Sequence, residues 1–245
     1  MKKIIIIWLA LLLAGGWFVF ARRGNEDAAK ERNGRTEQSF DKGQYSLDDP
    51  GSIWVIVNKR RPLNPKNYTP RDLRAPSVPL RLNDQHDEMK LQAIAAQATE
   101  TLFAAAKKDK LELMVASAYR SSDYQKGLYN GYVKQQGQAA ADTQSARPGH
   151  SEHQTGLALD VEPATRKCEV EACFADLPEG QWVAANAYKH GFVLRYHKDK
   201  ESITGYIFEP WHLRYVGKAL AQKLHDEGDP TLEEFFSLPP APDYQ

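Results

Sequence analysis

The chain has few cysteines and no net charge, and both features exclude whole classes of protein. It contains 2 cysteines among 245 residues, so it is not a small scaffold held together by several disulfides. Lys and Arg together number 32, and so do Asp and Glu, which gives a formal net charge of zero. No basic cluster is interleaved with aromatic residues. We therefore predict that the protein does not bind nucleic acid.

The two cysteines, Cys168 and Cys173, lie close together in a polar stretch. In an exported protein they would close one small loop, and they are the candidate disulfide of the chain. A metal site would need more ligands nearby than this stretch offers. Two unpaired thiols on the surface remain the alternative.

One run of the sequence is long and free of charge, from Ile4 to Ala21. As a helix it would span about 27 Å, close to the ~30 Å hydrocarbon core of a bilayer. We interpret residues 1–23 as a signal anchor or a cleaved signal peptide, and Arg22 directly after the run favours retention. More positive residues follow the run than precede it, which opposes the usual positive-inside bias. We nevertheless expect a single-pass protein of the cell membrane with an external catalytic domain, or a secreted protein if the segment is cleaved.

The remainder of the chain divides by composition into a linker, one domain and a tail. Residues 24–50 are rich in polar and charged residues and predict an extended linker. Residues 51–238 are sufficient for one domain with its own core. Residues 239–245 contain three prolines and form an irregular tail. We expect a monomer.

Hydrophobic periodicity predicts a mixture of helices and short strands. The predicted helices run from residue 83 or 84 to 107, from a capping box at 122 onward, and over 139–145, 181–190 and 213–227. The predicted strands cover 53–57, 111–119, 157–161, 192–196 and 203–208, and Pro210 is predicted to end the last of them. Helices at both ends and strands between them indicate an α+β domain, with a small, mostly antiparallel sheet and flanking helices.

Four residues in otherwise apolar or aromatic segments suggest a catalytic metal site. His153 and Asp160 stand seven residues apart, and about fifty residues later Glu209 and His212 occur in Phe-Glu-Pro-Trp-His. Two histidines and an aspartate suit a zinc ion with three protein ligands and an open fourth position. A glutamate three residues before the last ligand is a candidate general base. Any one of these residues alone is more often an ordinary polar residue, but their joint occurrence favours the site.

Arg120 lies where a predicted strand meets a predicted helix. At such a corner, backbone amides and a guanidinium group can both face an anion. An isolated arginine in this position is more often the partner of a surface ion pair.

Four segments together resemble one protein family. They span residues 117–122, 148–160, 191–196 and 209–217, and include Pro-Gly-His-Ser-Glu-His-Gln-Thr-Gly-Leu-Ala-Leu-Asp and Glu-Pro-Trp-His-Leu-Arg-Tyr-Val-Gly. These segments are similar to the VanY-type zinc D-alanyl-D-alanine carboxypeptidases. That family shares a small α+β fold with hedgehog-type and lysostaphin-type metallopeptidases. The resemblance extends from Gly51 to Ser237.

The resemblance implies a role for each matched residue. It assigns three zinc ligands, which are His153, Asp160 and His212. Glu209 matches the catalytic base that activates water, and Arg120 matches the arginine that polarises the scissile carbonyl and stabilises the oxyanion. Ser151 matches a serine that contacts the terminal residue of the substrate.

The function implied by the resemblance is that of a Zn²⁺-dependent D,D-carboxypeptidase. Such an enzyme removes the terminal D-alanine from peptidoglycan stem peptides. An L,D-carboxypeptidase or a peptidoglycan endopeptidase would use the same zinc site, and the sequence does not decide among the three. A non-catalytic zinc-binding module is a remoter alternative, because it would have no need of Glu209 as a base. A purely structural wall-anchoring protein would need no metal ligands at all.

Overall fold

The computed structural model describes residues 40–244. The chain divides into two units, Met1–Asp41 and Lys42–Gln245, and the helices and strands given below belong to the second. The predicted signal anchor and most of the predicted linker therefore lie outside the described residues. Within residues 40–244, no helix has the length and apolar character needed to cross a membrane.

Two antiparallel sheets contain the strands of the domain. The smaller sheet pairs β1 (Leu73–Arg74) with β2 (Leu91–Gln92). The larger sheet has four strands in the order β3-β4-β6-β5. These strands are β3 (Leu113–Ser117), β4 (Ala158–Pro163), β5 (Phe192–Tyr196) and β6 (Glu209–Tyr215).

Helices flank the larger sheet, which confirms the predicted α+β class. In chain order they are α1 (Ala93–Lys108), α2 (Ser122–Gln136), α3 (Gln138–Gln144), α4 (Pro178–Asn186), α5 (Glu201–Thr204), α6 (Lys218–Asp226) and α7 (Leu232–Phe235). Short 3₁₀ helices cover Asp87–Met89, Glu152–Thr155, Ala172–Asp176 and Ala187–His190.

Both faces of the central strand β4 are covered, since every residue of β4 is buried. Leu159 and Val161 face the hydrophobic core, as the predicted alternation requires. Asp160 and Glu162 lie on the opposite face, where they are shielded from water as well. A charge on that face must be paired or must bind a cation, because burial of an isolated charge is costly.

The strand predicted at residues 53–57 is absent, although Trp54 to Val57 are buried. The backbone of this segment forms its hydrogen bonds with other partners. Arg214 donates through Nη2 to the carbonyl oxygens of Ile53 and Val55, and the amide of Ile56 donates to Leu47. A buried arginine therefore supplies hydrogen bonds that a neighbouring strand would otherwise supply. The segment is a buried loop, although its β-branched composition is typical of a strand.

The strand predicted at residues 203–208 is also wrong. Residues Glu201–Thr204 form the short helix α5, which ends at Gly205 with a φ of +84°. The partner of β5 is instead β6, and Pro210 is its second residue. A proline is tolerated there because it lacks a backbone N–H, and neither the start of a strand nor an irregular pairing requires that donor.

Several predicted helix starts are displaced. The first helix begins at Ala93, because residues 87–92 instead bond to neighbouring segments: Ala118 donates to the carbonyl of Glu88, and Tyr119 donates to that of Lys90. The N-cap of α2 is Ser121, one residue before the predicted Ser122. The last predicted helix begins at Lys218 rather than at residue 213, because the preceding residues extend β6.

Candidate active site

Three buried side chains converge on the face of the larger sheet that lies away from the hydrophobic core. The Nε2 atom of His153 lies 3.4 Å from Oδ1 of Asp160. The Nδ1 atom of His212 lies 3.3 Å from the same oxygen. The ligand atoms of these three residues all lie within 4.8 Å of one another. The structure thus brings together the three ligands predicted from the sequence.

Strand register accounts for this convergence. In the antiparallel pairing of β4 with β6, Asp160 stands directly opposite His212, so both side chains project from the same face. His153 belongs to the 3₁₀ helix before β4, and Gly156 ends that helix with a φ of +68°. A side chain at Gly156 would be strained, because residues with a Cβ rarely adopt this positive φ. The turn at Gly156 folds His153 back beside Asp160.

Glu209 reaches the same site because the pairing of β5 with β6 is irregular. Two steps along β5, from Leu194 to Tyr196, stand opposite four steps along β6, from Leu213 to Glu209. Strict alternation would place Glu209 and His212 on opposite faces, since their positions are three apart. The irregularity removes that constraint, and Oε2 of Glu209 lies 3.7 Å from Nδ1 of His212. Pro210, which was predicted to end a strand, instead lies within β6 beside this irregularity.

Arg120 forms a hydrogen bond with one of the candidate metal ligands. Its Nη2 donates to Oδ2 of Asp160 at 2.7 Å, and its Nε donates to Oγ of Ser117 at 3.0 Å. Ser117 is itself opposite Asp160 in the pairing of β3 with β4. The guanidinium group is therefore held in place from two sides, and it still lines the cleft in front of the site.

A cleft of about 730 Å³ opens in front of these residues. Ser151, which is 4% exposed, lines it beside His153 and Glu209. One wall comes from residues 169–172, which lie within the loop closed by a disulfide between Cys168 and Cys173. The volume is in the range of pockets that enclose a drug-sized ligand. The cleft therefore has room for several residues of a peptide.

Burial and mutual contacts set the charges of the site. Burial lowers the pKa of His153 to about 4, so its imidazole is neutral. Burial alone would raise the pKa of Asp160, but the two imidazoles and Arg120 hold it well below its usual value. Burial raises the pKa of Glu209 to about 8, and a zinc ion in the site would favour its charged form, which is the form that acts as a base. For His212, burial opposes the charged form, but the neighbouring carboxylates of Asp160 and Glu152 raise its pKa.

The donor set fits zinc. The Oδ1 atom of Asp160 is buried and has no hydrogen-bond partner, although two imidazole nitrogens face it. Such an unsatisfied buried oxygen is costly unless a cation completes its environment. Two imidazole nitrogens and one carboxylate oxygen, with a cleft on the open side, are the ligands of a catalytic zinc site.

Sequence reasoning missed a group of buried charges behind His212. The buried charges are Glu152, Arg195, Arg214 and Glu233, whose side chains are all at most 1% exposed and form one connected set of ion pairs. The sequence did contain an indication of the two arginines, because Arg195 and Arg214 occur in apolar strands, where a buried charge needs a partner. No sequence pattern identified which carboxylates those partners are.

Comparison with known proteins decides the family. The family model described as VanY, D-alanyl-D-alanine carboxypeptidase, matches residues 88–218. The chain belongs to the VanY family. YodJ of Bacillus subtilis (strain 168) is 44% identical over 194 residues, which cover 79% of this chain and 70% of YodJ. As a member of the family, the protein is a zinc metallopeptidase of the carboxypeptidase type.

Two solved structures are similar to this chain along most of its length. The LD-carboxypeptidase LdcB is 45% identical with a TM-score of 0.72, and the match covers 77% of this chain and 87% of LdcB. A vancomycin-resistance D,D-pentapeptidase VanY, solved as a variant in complex with Zn(II), is 32% identical with a TM-score of 0.61. That match covers 74% of this chain and 97% of the VanY chain.

Proposed function

We propose that this protein releases the terminal D-alanine from peptidoglycan stem peptides. The observation that carries the proposal is the placement of His153, Asp160, His212, Glu209 and Arg120 around one cleft. Three of them are zinc ligands, and the other two supply a base and a cation at the reacting bond. When bound, zinc supplies Lewis acidity toward a peptide carbonyl and toward water.

The remaining chemistry falls to side chains of the chain itself. Glu209 takes a proton from the attacking water and returns it to the leaving amine. The Arg120 guanidinium, held by Asp160 and Ser117, faces the negative charge that develops on the carbonyl oxygen. The hydroxyl of Ser151 lines the cleft, where it donates to the terminal carboxylate of the substrate.

Two bonds of a stem peptide fit this chemistry. The sequence-based expectation and the family description favour the bond between two D-alanines. Similarity to solved structures favours the bond between an L-residue and D-alanine, because LdcB is more similar than VanY in both identity (45% against 32%) and TM-score (0.72 against 0.61). We propose L,D-cleavage as the first candidate and D,D-cleavage as the second.

The choice is tested by offering tetrapeptide and pentapeptide stems separately to the zinc-loaded protein. We expect free D-alanine from the tetrapeptide, in which the terminal D-alanine follows an L-residue. The measurement is an assay of released D-alanine, with mass spectrometry of the remaining peptide. Release from the pentapeptide only would establish the D,D reading. Internal fragments without D-alanine would establish an endopeptidase. If neither peptide reacted, the result would favour a non-catalytic zinc-binding module.

We also propose that the domain acts outside the cell, held to the membrane by residues 1–23. The uncharged run from Ile4 to Ala21 supports the anchor. The disulfide between Cys168 and Cys173 supports an oxidising compartment, since disulfides do not persist in most reducing cytosols.

We expect no free thiol in protein isolated under non-reducing conditions from the cell surface. Thiol titration after unfolding in denaturant measures this directly, and full reduction before titration is the control that reveals both cysteines. Fractionation of the cells tests the anchor, because retained residues 1–23 would keep the protein with the membrane. Thiols that react without reduction would contradict the external location.

A further inference from the structure

A buried carboxylate, Glu152, stands directly behind the zinc ligand His212. Its side chain is 0% exposed, and its Oε2 lies 3.4 Å from Nε2 of His212. Neither the zinc ligands nor the proposed proton transfers make use of this carboxylate. Its position at a ligand, rather than at the substrate, suggests that it acts through His212.

The two oxygens of Glu152 have different partners. Oε1 accepts from Nε of Arg195 at 2.8 Å and from Nη1 of Arg214 at 3.3 Å. Oε2 has His212 as its single hydrogen-bond partner among the described residues. The two guanidinium groups therefore fix the carboxylate and leave one oxygen directed at the imidazole.

The two histidines of the site present opposite nitrogens to it. Nδ1 of His153 lies 2.6 Å from the carbonyl oxygen of Ala118, so this nitrogen carries the proton and Nε2 faces Asp160. For His212 the roles are reversed, since Nδ1 faces Asp160 and Nε2 faces Glu152. A ring nitrogen can bind a metal only when it carries no proton, and the partner of the other nitrogen decides the tautomer.

We propose that Glu152 is a positioning residue that accepts the Nε2–H proton of His212 and so keeps Nδ1 free for zinc. The proposal rests on the zinc ligand set given above. Ala118 performs the corresponding role for His153 with a neutral carbonyl oxygen. A carboxylate acceptor makes the imidazole a stronger electron donor than a carbonyl does, so Glu152 also strengthens the bond from His212 to the metal.

The substitution Glu152→Gln separates this role from simple packing. A glutamine amide has one oxygen and one NH₂ group. Because Arg195 and Arg214 only donate, they would hold the oxygen and turn the NH₂ group toward His212. A donor would then face Nε2, which would favour the tautomer with the proton on Nδ1. Zinc would have to displace that proton.

We expect Glu152→Gln to weaken zinc affinity by about 10- to 100-fold, measured by competition with a chromogenic chelator on the full-length protein. The matched control is Glu233→Gln. Glu233 is equally buried and binds the same Arg195 at 2.6 Å, but it does not contact His212. The Glu233→Gln variant should have a less stable fold than the wild-type protein but the same zinc affinity. Equal weakening by both variants, or none by Glu152→Gln, would overturn the proposal.

A second measurement uses only the wild-type protein and does not depend on either variant folding. In zinc-loaded protein labelled with ¹⁵N-histidine, long-range ¹H–¹⁵N correlation shows which ring nitrogen carries the proton. We expect the two imidazoles that respond to zinc to be different tautomers, one protonated on Nδ1 and the other on Nε2. Two identical tautomers would overturn the role of Glu152. Wild-type protein that holds no zinc would instead reject the ligand set itself.

Discussion

Replacing Glu209 with glutamine is expected to slow peptide hydrolysis by about 10²- to 10⁴-fold, the usual cost of losing a general base. Glu209 is 8% exposed and lies at the cleft, beside a zinc ligand but outside the ligand set. The amide keeps nearly the same shape but does not accept a proton from water at neutral pH. The measurement is the rate of D-alanine release under saturating peptide.

Zinc content separates loss of the base from loss of the metal. Glu209→Gln should retain the zinc content of the wild-type protein, because His153, Asp160 and His212 are unchanged. The matched control is Glu227→Gln, which alters an exposed glutamate that pairs with Lys223 at 3.1 Å on α6. That variant should keep full activity. A Glu209→Gln enzyme with a rate within a few-fold of wild type would reject the role of Glu209 as the base.

Replacing Arg195 with methionine is expected to lower the free energy of unfolding by about 3–5 kcal/mol, the cost of leaving a buried charge without its partner. Arg195 is 1% exposed and lies between two carboxylates, with Nε donating to Glu152 at 2.8 Å and Nη2 donating to Glu233 at 2.6 Å. Methionine fills much of the same volume but leaves Glu233 with Asn58 as its remaining side-chain partner. Denaturant unfolding of the full-length protein measures the change.

An exposed arginine provides the control for the same substitution. Arg74 pairs with Glu100 at 2.7 Å, and the two side chains are 40% and 29% exposed. Because exposed pairs contribute little, Arg74→Met should cost less than about 1 kcal/mol. Equal losses for the two arginines would contradict the assignment of Arg195 to a buried network.

The pH dependence of stability tests whether the stability lost in Arg195→Met arises from charge. Burial alone would raise the pKa of Glu233, but Arg195 and Asn58 hold it below its ordinary value of 4.5. A carboxylate whose pKa is lower in the folded state than in the unfolded state stabilises the fold above its unfolded-state pKa. That stability is lost as the pH falls through the folded-state pKa. The wild-type protein therefore loses this contribution below pH 4.5, whereas Arg195→Met has already lost it. The difference between the two proteins should shrink as the solution is acidified.

The sequence alone was sufficient to select the residues of the candidate site. His153, Asp160, Glu209 and His212 stood out because charged or metal-binding residues are unusual in apolar segments. Their spacing resembled one family, and the family comparison confirmed it. The alternation of β4 also followed from the sequence, since a strand places successive side chains on opposite faces whatever its partner is.

The boundaries of other elements depended on contacts that local patterns do not contain. Residues 53–57 have the composition of a strand, yet Arg214 satisfies two of their carbonyl groups from far along the chain. Residues 203–208 also look like a strand, but the carbonyl of Ile203 accepts from the amide of Ala241, and the amide of Ile207 donates to the carbonyl of Thr143. In both places a tertiary hydrogen-bond partner outweighed local β-propensity.

Only the tertiary structure decided how the site is assembled. The sequence places Glu209 and His212 three residues apart, and the irregular pairing of β5 with β6 determines that both face one cleft. The sequence likewise places Glu152 next to His153, but the folded chain directs it to His212, sixty residues away. Composition and spacing can reveal that a charge must be buried and paired. Which partner it finds is decided by strand register and packing, because these bring together residues that are distant in sequence.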